Sequence, residues 1–372
     1  MLVTVEPGAH AALGWLALVL GLQYGINHGR RVSTLRMLAS WLAFLFTGAA
    51  IAAAVWGVLR GFGRFLGSPF DAADRLLVAG GVGAATAETT RYAVRWAVER
   101  DRASGPVADL LGDFAESDDL VPFLVVAALF AHRPEPELLA QQTPWFWFAV
   151  TLLLGAVLGG MAAALLGRTF RIAEAWAVML GMAMLTIGTA SRLGLAAVAS
   201  MFVMGAAISL FSPHRRDITA MIAPTERPVI LPALLLAGAS IDFSASRWLP
   251  VVLAAAILAR VAVKVLVGFV MLGVAPRARR AGPRLGLALS SAGALSMSIG
   301  LTFALRFPGA VGGAVLAAAA VATVVGEILG PASLRACLRR AGEVPEEAVL
   351  APPPSPPASA AAGEPEPEAQ AS

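Results

Sequence analysis

Long apolar stretches separated by short polar connections make up most of the chain. A helix needs about 20 apolar residues to cross about 30 Å of hydrocarbon, and eleven stretches approach or exceed that length. The pattern predicts an all-α polytopic membrane protein with about 11 transmembrane helices. The predicted spans are 10–27, 37–59, 75–98, 107–131, 145–167, 173–190, 193–211, 227–241, 247–273, 283–306 and 309–334. The shortest contains Pro228 and Pro232, so we expect it to be bent or incompletely spanning.

The composition excludes a water-soluble globule, since 58% of the 372 residues are hydrophobic and only 14% are charged. A single cysteine, Cys337, and four scattered histidines provide neither a disulfide framework nor a cluster of soft metal ligands. No nucleophile–base pair stands out, so we expect neither an enzyme nor a bound cofactor. The net charge is +4, but most arginines flank apolar stretches, which favours contact with the lipid bilayer over nucleic acid.

Basic residues are distributed unevenly between alternate ends of the predicted spans. One set of ends carries seventeen arginines and the other carries seven. Cytoplasmic connections hold the excess of basic residues, so we expect the N-terminus outside and the C-terminus in the cytoplasm. No charged segment precedes the first apolar stretch, which we therefore expect to remain as a helix. Residues 342–372 are rich in Pro, Ala and Glu, and we interpret them as a disordered tail behind a transmembrane domain of residues 1–341.

Acidic residues inside the spans are concentrated in the fourth. At about 100° per residue, Asp109, Asp113 and Glu116 share one helix face, which predicts an ion pathway from the cytoplasmic end. Asp118 and Asp119 lie at mid-membrane, where an ionisable group costs about 2.5–3.5 kcal/mol. Their hard oxygens predict a site for an alkali cation or a proton. The alternatives are solvated residues at the helix end for the first two acids, and a structural hydrogen-bonding role for the Asp pair.

The ninth span carries Arg260 near its centre and Lys264 one turn later. Lys264 is the only lysine among 28 basic residues. Arginine stays protonated in proteins whereas a desolvated lysine can release its proton, so this exception indicates that neutralisation matters. We expect Lys264 to pair with Asp119 until a cation displaces it. The alternative is a permanent ion pair that balances a buried carboxylate.

Two spans contain small and hydroxyl residues at mid-depth, which favour unwinding of the helix around an ion site. The first stretch is 80–90 and includes Gly83 and Thr86; the second is 290–298 and includes Ser291, Gly293 and Ser296. Close helix packing through small residues is the alternative for either stretch alone. Spans two to four match spans nine to eleven as plain helix, interrupted helix and third helix, with opposite expected orientations. This correspondence predicts an inverted repeat.

Five stretches together resemble the bacterial cation:proton antiporter superfamily, of the sodium/hydrogen exchanger type. They are GGVGAATAETTRYAVRWAVERDRASGPVADLL, ESDDLVPFLVVAALF, ERPVILPALLLAGASIDF, ILARVAVKVLVG and VVGEILGPASLRACLRRAGE. The resemblance implies exchange of Na⁺ or K⁺ for protons at Asp118 and Asp119, with the second acid as the main carrier. It also assigns Lys264 and Arg260 to the basic motif before the second broken helix.

The resemblance further implies crossed broken helices and a homodimer in the bacterial inner membrane. A core of about 37–131 and 247–334 would move like an elevator against a scaffold of about 10–27 and 145–241. Two features depart from the family pattern. Relatives commonly have twelve or thirteen spans, and many of them have Thr-Ser-Pro or Thr-Asp-Pro where this chain has Thr86, Ala87 and Glu88.

The departure at Glu88 adds a carboxylate to the first unwound stretch, so we include Thr86 and Glu88 in the expected ion site. Two other functions remain open from the residues: a cation channel or uniporter with the same charged centre, and a membrane sensor that does not transport. Retention of Asp118, Asp119 and Lys264 favours the antiporter, because a sensor needs no carrier group.

Overall fold

A computed structural model of the chain describes residues 2–28, 34–63, 65–133, 142–167, 171–241, 247–276 and 278–345. These residues form helices and connecting turns, and no strand occurs among them. The first nine helices are α1 (Leu2–His28), α2 (Thr34–Gly61), α3 (Ala72–Thr86), α4 (Arg91–Arg100), α5 (Pro106–Ser117), α6 (Leu120–Ala131), α7 (Pro144–Leu166), α8 (Ile172–Arg192) and α9 (Ala197–Phe211). The remainder are α10 (Arg215–Ile222), α11 (Glu226–Ala239), α12 (Trp248–Val274), α13 (Leu285–Ala288), α14 (Ala294–Arg306) and α15 (Ala310–Arg340).

All eleven predicted spans correspond to these helices, which confirms the all-α membrane class. Six described helical segments are long and apolar enough to cross a membrane. The eighth span is longer than expected, because α10, a short 3₁₀ turn and α11 run together from Arg215 to Ala239. The third, fourth and tenth spans each consist of two helices. The expected tail lies outside the described residues from 346 onward.

The helices pack in two groups. In one, α2 packs on α3 and α12, and α15 packs on α3, α13 and α14. In the other, α1 and α7 both pack on α9, and α8, α10 and α11 complete the group. The two groups meet where α14 contacts α1 and α11, and where α6 contacts α7 and α9.

Small residues let the helices of each group approach closely. A Cβ atom on Gly83 of α3 would lie 2.5 Å from the backbone oxygen of Gly48 on α2. The backbones of α1 and α9 approach in the same way at Gly21 and Gly205. Close backbone contact of this kind is typical of membrane helices, whose association depends on packing and hydrogen bonds.

The segment after α15 turns back onto the N-terminal end of α5. The two carboxylate oxygens of Glu343 accept hydrogen bonds from the backbone N–H groups of Val107 and Ala108, both at 2.8 Å. Gly105 precedes the helix with φ +152°, and a Cβ atom there would touch the Glu343 carboxyl group. A buried carboxylate therefore satisfies two N–H groups at the start of the helix that leads to the acid pair.

Candidate ion-binding site

Three interrupted spans meet at one place in the fold. The interruptions are residues 87–90 between α3 and α4, Asp118 and Asp119 between α5 and α6, and 289–293 between α13 and α14. Their backbones and side chains hydrogen bond to one another. The interruption at the Asp pair itself was not predicted, because apolar residues follow the pair and no run of small residues surrounds it.

The two predicted broken helices contact each other directly. Thr90 donates its backbone N–H to the carbonyl oxygen of Ser291 at 3.0 Å. The hydroxyl of Thr89 donates to the carbonyl oxygen of Leu289, also at 3.0 Å. A Cβ atom on Gly293 would lie 2.6 Å from the hydroxyl oxygen of Thr90, so this close crossing requires glycine.

Glu88 connects one broken helix to the other. One of its carboxylate oxygens accepts three hydrogen bonds, from the N–H of Gly293 at 3.0 Å, the N–H of Ser296 at 2.9 Å and the Ser296 hydroxyl at 2.8 Å. Its negative charge lies at the N-terminal end of α14, where a helix favours an anion. Arg260 donates from one guanidinium nitrogen to the backbone oxygens of Glu88 and Ser290, at 3.1 and 2.9 Å.

Asp118 and Asp119 are 2% and 6% exposed. Asp118 accepts a hydrogen bond from the N–H of Thr89 at 3.1 Å, while its second carboxylate oxygen is buried with no partner among the described residues. Lys264 donates to the Thr89 hydroxyl at 2.8 Å. Thr89 therefore links the lysine to Asp118 without direct contact between the two charged groups.

Asp119 has a different partner from the one expected. Its carboxylate lies 3.5 Å from a guanidinium nitrogen of Arg91, the first residue of α4. Among the described residues, no carboxylate forms an ion pair with Lys264, so the expected Lys264–Asp119 pair is absent from this structure. The physical reason is that consecutive residues at a turn project in different directions, so only Asp118 faces α12.

Arg91 also contacts the second helix group. Its other guanidinium nitrogen donates to Glu226, the first residue of α11, at 3.0 Å. The Glu226 carboxylate accepts further hydrogen bonds from Gln23 of α1, at 3.1 Å, and from the hydroxyl of Tyr92. The Arg91 guanidinium carbon lies 5.3 Å from the centre of the Tyr92 ring, close enough for a cation–π contact.

Arg91 lines two cavities. A small one of about 10 Å³, near the size that holds one water molecule, is bordered by Asp119, Glu88 and Arg91. A larger one of about 380 Å³ is lined by Arg91, Arg95, Asp109, Asp113 and Glu116. The predicted acidic face of the fourth span therefore borders a cavity that ends at Arg91.

The carboxylates of this larger cavity are paired with arginines. Glu116 lies 3.6 Å from Arg95, and Asp113 forms an ion pair with Arg36 of α2. A third cavity, of about 780 Å³, is lined in part by Arg306, His10 and Thr302. A narrow space beside Leu16 and Leu295 lies between this cavity and Asp119.

The residues predicted to unwind occupy different positions. Gly83 and Thr86 remain helical at the end of α3, where the Thr86 hydroxyl donates to the carbonyl oxygen of Val82 at 2.7 Å. Ser291 and Gly293 lie in the second interruption, and Ser296 lies in the first turn of α14. The Ser291 hydroxyl is buried without a hydrogen-bond partner in the described structure and lies against Gly330 of α15.

Three residues of the site were not assigned from the sequence. Thr89 has an ordinary side chain, and nothing in the sequence placed it between Lys264 and Asp118. Arg91 is one of four basic residues inside the predicted spans, which is a signal for an interior ion pair. Glu226 lies one position before the predicted eighth span, so it was counted as part of a connection.

Buried acids and bases at the meeting point of broken helices define a polytopic membrane transporter for a small charged solute. The chain belongs to the sodium/hydrogen exchanger family, because the model described as "Sodium/hydrogen exchanger, transmembrane" matches residues 31–340. This confirms the resemblance noted in the sequence. The family is one of transporters, and it supports cation:proton antiport as the activity of this multi-pass membrane protein.

The fold is similar to that of a solved structure, the sodium proton antiporter MjNhaP1 from Methanocaldococcus jannaschii at pH 8. The two share 15% identity with a TM-score of 0.56, and the alignment covers 91% of this chain and 86% of that one. Among curated proteins, no sequence matches this chain significantly.

Proposed function

We propose that the chain exchanges a monovalent alkali cation, Na⁺ or K⁺, for protons across the bacterial inner membrane by alternating access. Asp119, assisted by Asp118, is the carrier, and it binds either the alkali cation or a proton but never both at once. The family supports sodium and hydrogen ions as the transported pair. Potassium enters the proposal because carboxylate oxygens bind both alkali cations.

The charge balance of the buried site carries this proposal. Seven ionisable side chains form one connected cluster, and with all of them ionised it has one negative charge in excess. The acids are Glu88, Asp118, Asp119 and Glu226, and the bases are Arg91, Arg260 and Lys264. An uncompensated charge inside a membrane protein costs several kcal/mol. While Glu226 contacts Arg91, one proton or one monovalent cation removes this excess, so this state of the site favours occupancy of the carrier by either ion.

Asp119 is the best carrier because it borders the cavity of about 10 Å³ and its only ion-pair partner among the described residues is at 3.5 Å. A pair at that distance is weaker than a hydrogen-bonded one. Asp118 supplies a second carboxylate with one unpartnered oxygen. Lys264, through Thr89, senses whether Asp118 is occupied.

The proposal includes a core of residues 37–131 and 247–334 that moves against a scaffold of 10–27 and 145–241. The packing of the helices in two groups supports this division. Hydrogen bonds between the two broken helices support movement of the core as one body. The distribution of arginines supports an external N-terminus and a cytoplasmic C-terminus, and the family resemblance extends the proposal to a homodimer.

The proposal is tested with purified protein in liposomes that contain a pH-sensitive dye. A Na⁺ or K⁺ gradient is expected to drive proton flux in the wild type, and Asp119→Asn is expected to abolish it. Asp74→Asn is the matched control, because it alters an ion pair with Arg133 at 3.0 Å that lies far from the site. Normal flux in Asp119→Asn would show that the carrier is wrongly assigned.

Two other outcomes decide between classes of protein. Cation flux that moves no protons, with unitary currents in a planar bilayer, would indicate a channel or uniporter. Folded protein with no flux of either cation would indicate a sensor. Either result would overturn antiport for this chain.

A further inference from the structure

Arg91 is shared between two carboxylates that belong to different helix groups. It contacts Asp119 at 3.5 Å within the proposed core and Glu226 at 3.0 Å on the proposed scaffold. Arg91 is 7% exposed, so neither pair is weakened by full exposure to solvent. Arg91 also lines both the small cavity at Asp119 and the larger acidic cavity.

Glu226 is held on the scaffold independently of Arg91. Gln23 of α1 donates to its second carboxylate oxygen, and the adjacent Thr225 accepts a hydrogen bond from Trp15 of α1 at 2.7 Å. The carboxylate therefore has a fixed position on the scaffold. If the core moves, Arg91 moves with Asp119 and leaves Glu226 behind.

We propose that Arg91 is a built-in competitor of the transported cation at Asp119, and that Glu226 sets the strength of this competition in one state of the core. This inference rests on the proposed function. While Glu226 holds Arg91, the Asp119 carboxylate is available to a cation. After the core has moved, Arg91 has only Asp119 as a partner, so it favours release of the cation on the other side.

The Coulomb energies support a measurable effect. Two unit charges 4 Å apart interact by about 4 kcal/mol at an effective dielectric constant of 20, so a small displacement of Arg91 alters cation binding substantially. The Arg91–Glu226 pair joins the two helix groups, so the distance between its two side chains depends on the position of the core. The Arg95–Glu116 pair beside it lacks this property, because both residues belong to the core.

The test measures the apparent KM for Na⁺ in everted and right-side-out vesicles from cells without other exchangers. Glu226→Gln is expected to raise the KM by about tenfold on the side where the wild-type KM is lower, because Arg91 then pairs with Asp119 alone. On the other side the KM is expected to stay within about twofold. Asp74→Asn serves again as the ion-pair control and is expected to leave both values unchanged.

The double variant Arg91→Gln/Glu226→Gln separates competition from a structural defect. It restores the excess of one negative charge and removes the competitor, so the KM is expected to return to within about threefold of the wild-type value. A KM that stays high in the double variant, or wild-type values in Glu226→Gln, would overturn the inference. If Asp119→Asn still abolishes exchange in that case, the proposed function stands without the competitor.

Solvent access gives a second readout that does not need transport. Ala294 borders the small cavity with Arg91 and Asp119. In a Cys337→Ala background, Ala294→Cys is expected to react with a membrane-impermeant thiol reagent faster when Arg91→Gln is added. An unchanged reaction rate from both sides of the vesicle would contradict occupation of the space beside Asp119 by Arg91.

Discussion

Lys264 donates a hydrogen bond to the hydroxyl of Thr89 at 2.8 Å, and Thr89 in turn donates its backbone N–H to Asp118 at 3.1 Å. The lysine therefore acts on the acid pair through a residue of the first broken helix. We therefore expect a change in charge at Asp118 to act on this backbone segment, which also contacts Leu289 of the second broken helix.

Replacement of Thr89 by valine tests this link. Valine has nearly the same shape as threonine but no hydroxyl, so Thr89→Val leaves the buried Lys264 ammonium without its acceptor. We therefore expect the exchange rate to fall by about tenfold or more. Thr89→Ser keeps the hydroxyl and is expected to stay close to the wild type. Proton flux in liposomes measures both, and equal activity of the valine and serine variants would contradict a role for the hydroxyl.

Lysine at position 264 is expected to be required for the normal pH dependence of exchange. Lys264→Arg keeps a positive charge but adds a larger guanidinium that stays protonated, so we expect impaired exchange with folding retained. Size-exclusion chromatography checks folding, and flux between pH 6 and pH 9 checks the profile. A profile that matches the wild type would remove the special role of the lysine.

Glu88 is expected to stabilise the crossing of the broken helices. Glu88→Ala removes the acceptor of three hydrogen bonds and one of the two carboxylates near Arg260, so we expect a loss of about 2–4 kcal/mol in stability. Glu88→Gln keeps a carbonyl oxygen as acceptor, so it should lose less stability than Glu88→Ala. Thermal unfolding in detergent, followed by tryptophan fluorescence, ranks the stability of the wild type and the two variants. Equal stability of all three proteins would contradict this role.

The Glu343 carboxylate is expected to stabilise the start of α5. Glu343→Gln loses the charge and one of two acceptor oxygens, which should cost about 1–2 kcal/mol. Two truncated chains provide a sharper comparison. A chain that ends at Pro345 keeps Glu343 and one that ends at Gly342 does not, so only the second should unfold at lower temperature. Equal unfolding temperatures would show that this contact is dispensable.

The number and approximate bounds of the spans follow from hydropathy alone, because hydrocarbon imposes a minimum length on each apolar helix. The interruption at Asp118 and Asp119 was missed for a physical reason. Apolar residues follow the pair, and hydropathy does not distinguish a continuous helix from two that end at a buried polar turn. Within the predicted stretch 80–90, residues 87–90 interrupt the helix, whereas Gly83 remains helical and packs closely on Gly48.

The site was only partly predictable. The structure brings five of the predicted site residues together, because charged side chains inside a membrane protein avoid lipid and pair with one another. These residues are Glu88, Asp118, Asp119, Arg260 and Lys264. Their pairing did not follow from the sequence, since it depends on which way each side chain leaves a non-helical turn. The role of Glu226 was not predicted for another reason. It contacts Arg91, which is 135 residues away in the sequence, and a local sequence pattern does not indicate a contact over such a separation.

The link made by Glu88 also constrains how this protein can vary in evolution. Proline at this position would provide no carboxylate to accept from Gly293 and Ser296, so the second broken helix would need another acceptor. Replacement of Glu88 by proline alone is therefore expected to leave two backbone N–H groups without this acceptor, so it should persist only where another residue supplies one.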